Sequence, residues 1–214
     1  GLEPERIASV HDPAYQESLK LRRPDLILVV SFGQILRAPL LALPPKGCVN
    51  IHASLLPRYR GASPITQCIL NRDAETGVCF MAMERGLDTG AVYETITVPL
   101  DHSEYASELE FKLGSIAAEA APGILGSICS GELVPVPQDS VEATVCTKIR
   151  KADGLIRWTG SAHEIEAMVR AYCPWPGAFA SVRTPKGVES VTLIRVNCRR
   201  ELSGRPGQVL RADK

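Results

Sequence analysis

Apolar residues arrive in short bursts separated by turn residues, and their period changes along the chain. Residues 26–32 are an unbroken run rich in Leu, Ile and Val. Such a run suits a strand buried on both faces of a parallel sheet. A second strand is predicted over residues 48–52, after the turn signals Pro44, Pro45 and Gly47. A third covers 76–83. A fourth covers 92–99, where Val92, Glu94, Ile96 and Val98 alternate with Tyr93, Thr95 and Thr97, the pattern of an edge or half-exposed position.

Helical signals fall between these runs. One helix is predicted over 12–23, ahead of Pro24, and a short helix or turn over 34–43, interrupted by Pro39. Another spans about 63–71, with Ser63 as N-cap and Pro64 in the first helical position, where a missing N–H costs least. Asp101 and Glu104 resemble a capping box that opens a long helix, with Leu109, Leu113, Ile116 and Ala120 on one stripe. Pro122-Gly123 predicts its end or a kink near residue 121. Strands alternating with helices indicate an α/β sheet, whose ligands bind outside the carboxyl ends of strands.

From Gly131 the pattern changes. Pro135 and Pro137 flank a stretch without periodicity, read as a linker over 134–150. Ser161 and Glu164 form a second capping box, before a helix with Ile165, Met168, Val169 and Tyr172 on one face and Pro174 at its stop. Strands follow over 179–182, 190–197 and 208–210, with Gly/Pro turns at 185–187 and 204–207. They begin a small all-β module that stops before a sheet can close. The expected organisation is a domain over 1–133, the linker, and a second domain over 151–214. The chain begins with Gly1 rather than Met and runs out at Lys214, so it is read as a fragment.

Charge adds one hint. The 214 residues carry no formal net charge. Residues 1–130 hold 11 Lys/Arg against 15 Asp/Glu, however, and residues 131–214 hold 13 against 9. A balance of −4 joined to one of +4 suggests that the second part meets a polyanion. Lys148, Arg150, Lys151 and Arg157 cluster at its start. The seven cysteines contain no C-x-x-C pair and several lie in apolar runs, as expected of buried free thiols in a reducing compartment. The run over 26–32 is too short to cross a bilayer, and no signal peptide is visible. No P-loop, G-x-G-x-x-G or metal-ligand cluster is found.

The chemistry concentrates at the second strand. Asn50 and His52, two residues apart, project from one face of it. Asp88, in Gly86-Leu87-Asp88-Thr89-Gly90 just past the third strand, is expected to reach that face through neighbouring strand ends. An amide donor stabilises an oxyanion, an imidazole shares that load or manages a proton, and a carboxylate accepts a proton from an attacking nucleophile. No Ser or Cys stands beside His52 as a nucleophile, so direct attack by an amine on a bound acyl donor fits better than an acyl-enzyme. Each residue also has a plain structural reading: an amide satisfying backbone, a core histidine, a turn aspartate. Spacing alone does not decide between them.

The run Asn50-Ile51-His52-Ala53-Ser54-Leu55-Leu56-Pro57-Arg58-Tyr59-Arg60-Gly61-Ala62-Ser63-Pro64-Ile65 resembles the signature of the folate-dependent formyltransferases. Glu75-Thr76-Gly77-Val78 and Gly86-Leu87-Asp88-Thr89-Gly90 match it further, and the resemblance covers nearly the whole chain. It implies a Rossmann-like formyltransferase sheet with helices on both faces, joined to a C-terminal OB-like β-barrel that is truncated here. It also implies 10-formyltetrahydrofolate as formyl donor and no metal. Asn50, His52 and Asp88 then occupy catalytic positions, and Ser54, Leu55, Leu56 and Pro57 the folate-binding stretch.

Three further stretches point to the branch whose acceptor is the α-amine of initiator methionyl-tRNA. These are Ser31-Phe32-Gly33-Gln34-Ile35-Leu36, the run from Lys148 to Trp158, and Pro174-Trp175-Pro176-Gly177-Ala178. A sugar-nucleotide amine, a purine precursor or water as acceptor on the same scaffold is the alternative. In this branch Lys148, Arg150 and Lys151 become phosphate contacts, with Arg195, Arg199, Arg200 and Arg205 as weaker ones. The remaining expectations are a monomer, no membrane, and a cytoplasmic location in a bacterial cytosol or organelle matrix.

Overall fold

The computed structural model describes residues 5–199 and 202–211. The chain forms α1 (Pro13–Arg22), β1 (Ile27–Val30), α2 (Ala38–Leu41), β2 (Cys48–His52), β3 (Arg60–Gly61), α3 (Pro64–Leu70), β4 (Glu75–Ala82), β5 (Val92–Pro99), α4 (Ala106–Ser130), β6 (Val145–Cys146), α5 (Ala162–Ala171), β7 (Ala178–Thr184) and β8 (Gly187–Leu193). They fall into two compact units, each built from three separate segments. One holds Gly1–Arg60, Gly77–Thr97 and Gly114–Val145; the other holds Gly61–Thr76, Val98–Leu113 and Cys146–Lys214.

The main sheet runs β1-β2-β4-β5. It is mixed rather than parallel. β1 pairs parallel with β2, and β2 antiparallel with β4, with Val49 opposite Ala82 and His52 opposite Cys79. The central strands carry the core: Val49, Val78, Cys79, Phe80 and Met81 are buried. β5 lies at an edge and is half-exposed, as its alternation predicts. β1 corrects the prediction. It is the other edge, and Leu28 and Val30 are exposed. Beneath β1, Val10, Val29, Leu36, Leu40 and Cys48 form a core cluster. Asp12 caps α1, its Oδ1 accepting from the Ala14 and Tyr15 N–H groups at 2.8 and 3.2 Å.

α4 departs from expectation at both ends. The Glu104 carboxylate accepts from the Asp101 N–H at 3.1 Å, yet the helix opens only at Ala106, where Glu108 accepts from the Tyr105 N–H at 3.0 Å. Ser103, through its N–H and hydroxyl, ties Asp101 into a turn and holds that carboxyl below its ordinary pKa. Nor does Pro122 end the helix, which runs on to Ser130. A proline removes one local bond, whereas the turns beyond it bury Ile128. By length and composition α4 is apolar enough to cross a membrane; its Leu109, Leu113, Ala117 and Ile128 are buried within the protein.

In the second unit the Ser161–Glu164 capping box forms as predicted. The Ser161 hydroxyl accepts from the Glu164 N–H at 3.2 Å, and Glu164 accepts from the Ser161 N–H at 2.6 Å. These bonds hold the Glu164 carboxyl below its ordinary pKa. Arg170 of α5 is buried, forks onto Glu166 at 2.5 and 3.0 Å, and donates to the Glu104 carbonyl at 3.0 Å. β7 and β8 form an antiparallel hairpin, over a cluster of Ile156, Val169, Ala178 and Ala180. The second strand stops at Leu193 rather than 197, and residues 208–210 lie in no strand. Gln208 is drawn instead into a turn, its Oε1 accepting from the Arg205 N–H at 3.1 Å.

Candidate active site

β2 delivers the first two groups. Strand alternation sets Asn50 and His52 on one face. The imidazole of His52 is buried, with Nε2 2.9 Å from the Tyr59 carbonyl. A carbonyl only accepts, so Nε2 carries the proton and Nδ1 is left toward Asp88. Nδ1 lies 3.8 Å from Oδ2 of Asp88. That is beyond a direct hydrogen bond and short enough for a water or substrate group to mediate. Asn50 is half-buried, and its carboxamide takes no protein partner among the described residues. An amide facing a site without protein partners is available to a ligand.

Asp88 reaches His52 by an unexpected path. Because β4 is antiparallel to β2, its last residue, Ala82, lies opposite Val49, at the far end from His52. β5 returns along β4, with the Ala82 N–H bonded to the Ala91 carbonyl at 2.8 Å. Asp88 therefore sits on a hairpin loop that doubles back along β2. Neighbouring strand ends do not bring it there. Thr89 cross-braces the loop by donating to Glu84 at 2.5 Å. Asp88 has φ +51 and Tyr59 has φ +60, a conformation that costs a non-glycine residue roughly 1–2 kcal/mol.

The stretch after β2 is tightly wound. The Ser54 side chain is fully buried and donates to the Arg58 carbonyl at 2.7 Å. Its hydroxyl is thereby committed to the loop. Leu55, Leu56 and Pro57 are half-buried.

Three residues to which the sequence assigns no role of their own complete the site. Arg60 is buried and forks its Nε and Nη2 onto Oε1 of Gln138, at 3.0 and 2.8 Å. The Nε2 of Gln138 donates to the carbonyls of Asp88 and Gly90, at 2.9 and 2.7 Å. Thr144 accepts from the Tyr59 N–H through Oγ1 at 2.8 Å. Gln138 and Thr144 stand 50 and 85 residues from their partners, so no local pattern announces them.

Residues 3–125 match the formyl transferase family, and residues 148–214 match its C-terminal domain. The chain belongs to the formyl transferase family. A relative from Geobacter sulfurreducens named methionyl-tRNA formyltransferase is 38% identical over 205 residues, covering 96% of this chain and 63% of that protein. The chain thus spans less than two thirds of that relative. Two solved structures share the fold. HypX from Aquifex aeolicus in complex with tetrahydrofolic acid gives a TM-score of 0.73 at 21% identity, over 91% of this chain and 33% of that one. Methionyl-tRNA formyltransferase from Clostridium thermocellum gives 0.65 at 19%, over 86% and 84%.

Within this formyl transferase chain the basic residues singled out from the sequence are on the surface wherever they are described. Lys148, Arg150, Lys151, Arg195, Arg199 and Arg205 are exposed, and Arg200 lies outside the described residues. Arg150 pairs with Asp153 at 3.6 Å, and the Arg195 guanidinium lies 5.8 Å from the Tyr105 ring centroid. Among the described residues, Cys48, Cys68, Cys79 and Cys146 are buried free thiols and Cys129 is exposed. Burial pushes the Cys48 and Cys68 thiols up to about 11.

Proposed function

We propose that the protein containing this chain transfers a formyl group from 10-formyltetrahydrofolate to the α-amine of initiator methionyl-tRNA. One observation carries the reading: the carboxylate of Asp88 stands against His52 while the amide of Asn50, on the same strand face, is kept unengaged. The name of the 38%-identical relative supports the acceptor, and the tetrahydrofolate complex of HypX supports the donor class.

In this mechanism the amine attacks the formyl carbon. Its new C–N bond forms as the carbon's bond to N10 of the folate breaks. The N–H of Asn50 steadies the negative charge on the formyl oxygen. His52 joins it when Nδ1 bears a proton. Asp88 removes the ammonium proton, which passes on to the departing nitrogen. Leu55, Leu56 and Pro57 offer apolar surface to the pterin, and the main chain of 54–57 pairs with its edge. Ser54 contributes by fixing that main chain, since its hydroxyl is already bonded to Arg58. The exposed Lys148, Arg150 and Lys151 contact tRNA phosphates. The organisation proposed for this role is a catalytic domain over 1–133, a linker over 134–150 and a tRNA-binding barrel begun by 151–214. The protein acts as a cytosolic monomer.

The test uses the full-length protein. Formylation of methionyl-tRNA is compared with that of a sugar-nucleotide amine, and Asp88→Asn is assayed beside the parent. Near-complete loss of transfer with folate and tRNA still bound is expected. Parental transfer by Asp88→Asn, or preference for the small amine, overturns the reading.

A further inference from the structure

Residues 136–144 lie between the two ranges matched to the family, 3–125 and 148–214, and none has a role in the chemistry just described. They nevertheless reach both groups that aim it. Val136 is fixed to Val92 by a pair of backbone bonds, each 2.8 Å. At the other end the Thr144 N–H donates to the Pro57 carbonyl at 3.2 Å, and its carbonyl accepts from the Arg60 N–H at 2.9 Å. The stretch is thus a strap anchored at both ends. Between the anchors it presents Gln138 to the Asp88 loop, and at the second anchor it presents Thr144 to Tyr59.

We propose that this strap is a positioning element, with Gln138 setting Asp88 and Thr144 setting His52 through the backbone of Tyr59, whose N–H it holds and whose carbonyl meets the imidazole. The proposal rests on the formyl-transfer reading above. Three observations carry it. First, strand pairing does not bring Asp88 to His52. From Ala82, opposite Val49, the loop must double back three residues of β2, about 10 Å at strand rise. Second, the strap bonds to the two residues of the site held at positive φ, Asp88 and Tyr59. Such conformations persist where surrounding structure over-determines them. Third, the orientation of the Gln138 amide is dictated from both sides. The Arg60 guanidinium demands an oxygen and the two loop carbonyls demand N–H groups. The buried cation polarises that amide and strengthens its donors.

The decisive variant is Gln138→Glu in the full-length protein. It keeps the size and the oxygen facing Arg60, but turns a carboxylate oxygen toward two carbonyls. The expected result is a kcat for formyl transfer about 10–100-fold lower, with KM for both substrates within about two-fold of the parent. Thr144→Val, which removes the acceptor, lowers kcat, and Thr144→Ser, which keeps it, restores kcat. Because Gln138 acts through Asp88, Gln138→Glu adds no further loss to Asp88→Asn. A kcat within about two-fold of the parent for Gln138→Glu, or a loss that adds in full to Asp88→Asn, overturns the proposal. Should Gln138→Glu fail to fold, the Thr144 pair decides: equal rates for Thr144→Val and Thr144→Ser overturn it. Parental rates for Gln138→Glu beside an inactive Asp88→Asn sink the strap alone. Parental rates for Asp88→Asn sink the strap and the functional reading together.

Discussion

His52 and Asp88 face each other across 3.8 Å, yet their supports differ in kind. His52 is carried by a five-residue strand whose neighbours on both sides are strands, and its ring is tied to a carbonyl seven residues on. Asp88 is carried by a loop held from a point 50 residues further along the chain. The first support is made by folding the core. The second is a set of polar bonds laid over a finished sheet. Stability and geometry are therefore expected to separate at this site: damage to the strand lowers the stability of the unit, while damage to the strap chiefly misaims the groups it holds.

That contrast is sharpened by variants on the strand itself. The largest effect is expected from Asn50→Ala. Losing an oxyanion donor costs about 10²–10³ in kcat, and because the Asn50 amide has no protein partner among the described residues, the melting temperature is expected to stay put. A fall in melting temperature of the size seen for a core deletion breaks the separation between geometry and stability. Next comes Val49→Ala, one position away and fully buried. Truncating it costs about 2 kcal/mol of unfolding free energy, with kcat per folded molecule unchanged; denaturant unfolding and active-site titration read the two together.

The smallest effect is alkaline. The Cys48 and Cys68 thiols are raised from 9.0 to about 11 by burial. Between those values the unfolded chain has lost protons that the folded chain retains, so stability falls as pH rises from 9.0 toward 11 and is insensitive to these groups below 9.0. Denaturant midpoints at neutral and alkaline pH measure it, and replacing Cys48 with Ala flattens the slope. A slope unchanged by the loss of both thiols refutes the assignment.

What could be read from the sequence follows the same division. The Asn50/His52 face and the Ser161–Glu164 box depend on residues two or three apart, and both form. Pro122 does not end α4, because the burial of Ile128 beyond it outweighs a proline's local cost. Leu28 and Val30, in the run 26–32, are exposed because among the described residues β1 has a strand on one side alone. Asp88 was placed beside His52 by supposing adjacent strand ends, whereas β4 runs the other way. Gln138 and Thr144 lie in no motif, and Arg60 lies in the signature run without any sign there of its partner. Their meaning lies in partners 48 to 85 residues away.

The position of the strap bears on how members of the formyl transferase family can be recombined. Residues 136–144 sit in the interval that neither family range includes, where a crossover between two homologues is most naturally placed. A junction near residue 131 would draw Gln138 from one parent and the Asp88 loop from the other, whereas a splice ahead of Cys48 or beyond Cys146 keeps loop and brace as a matched set.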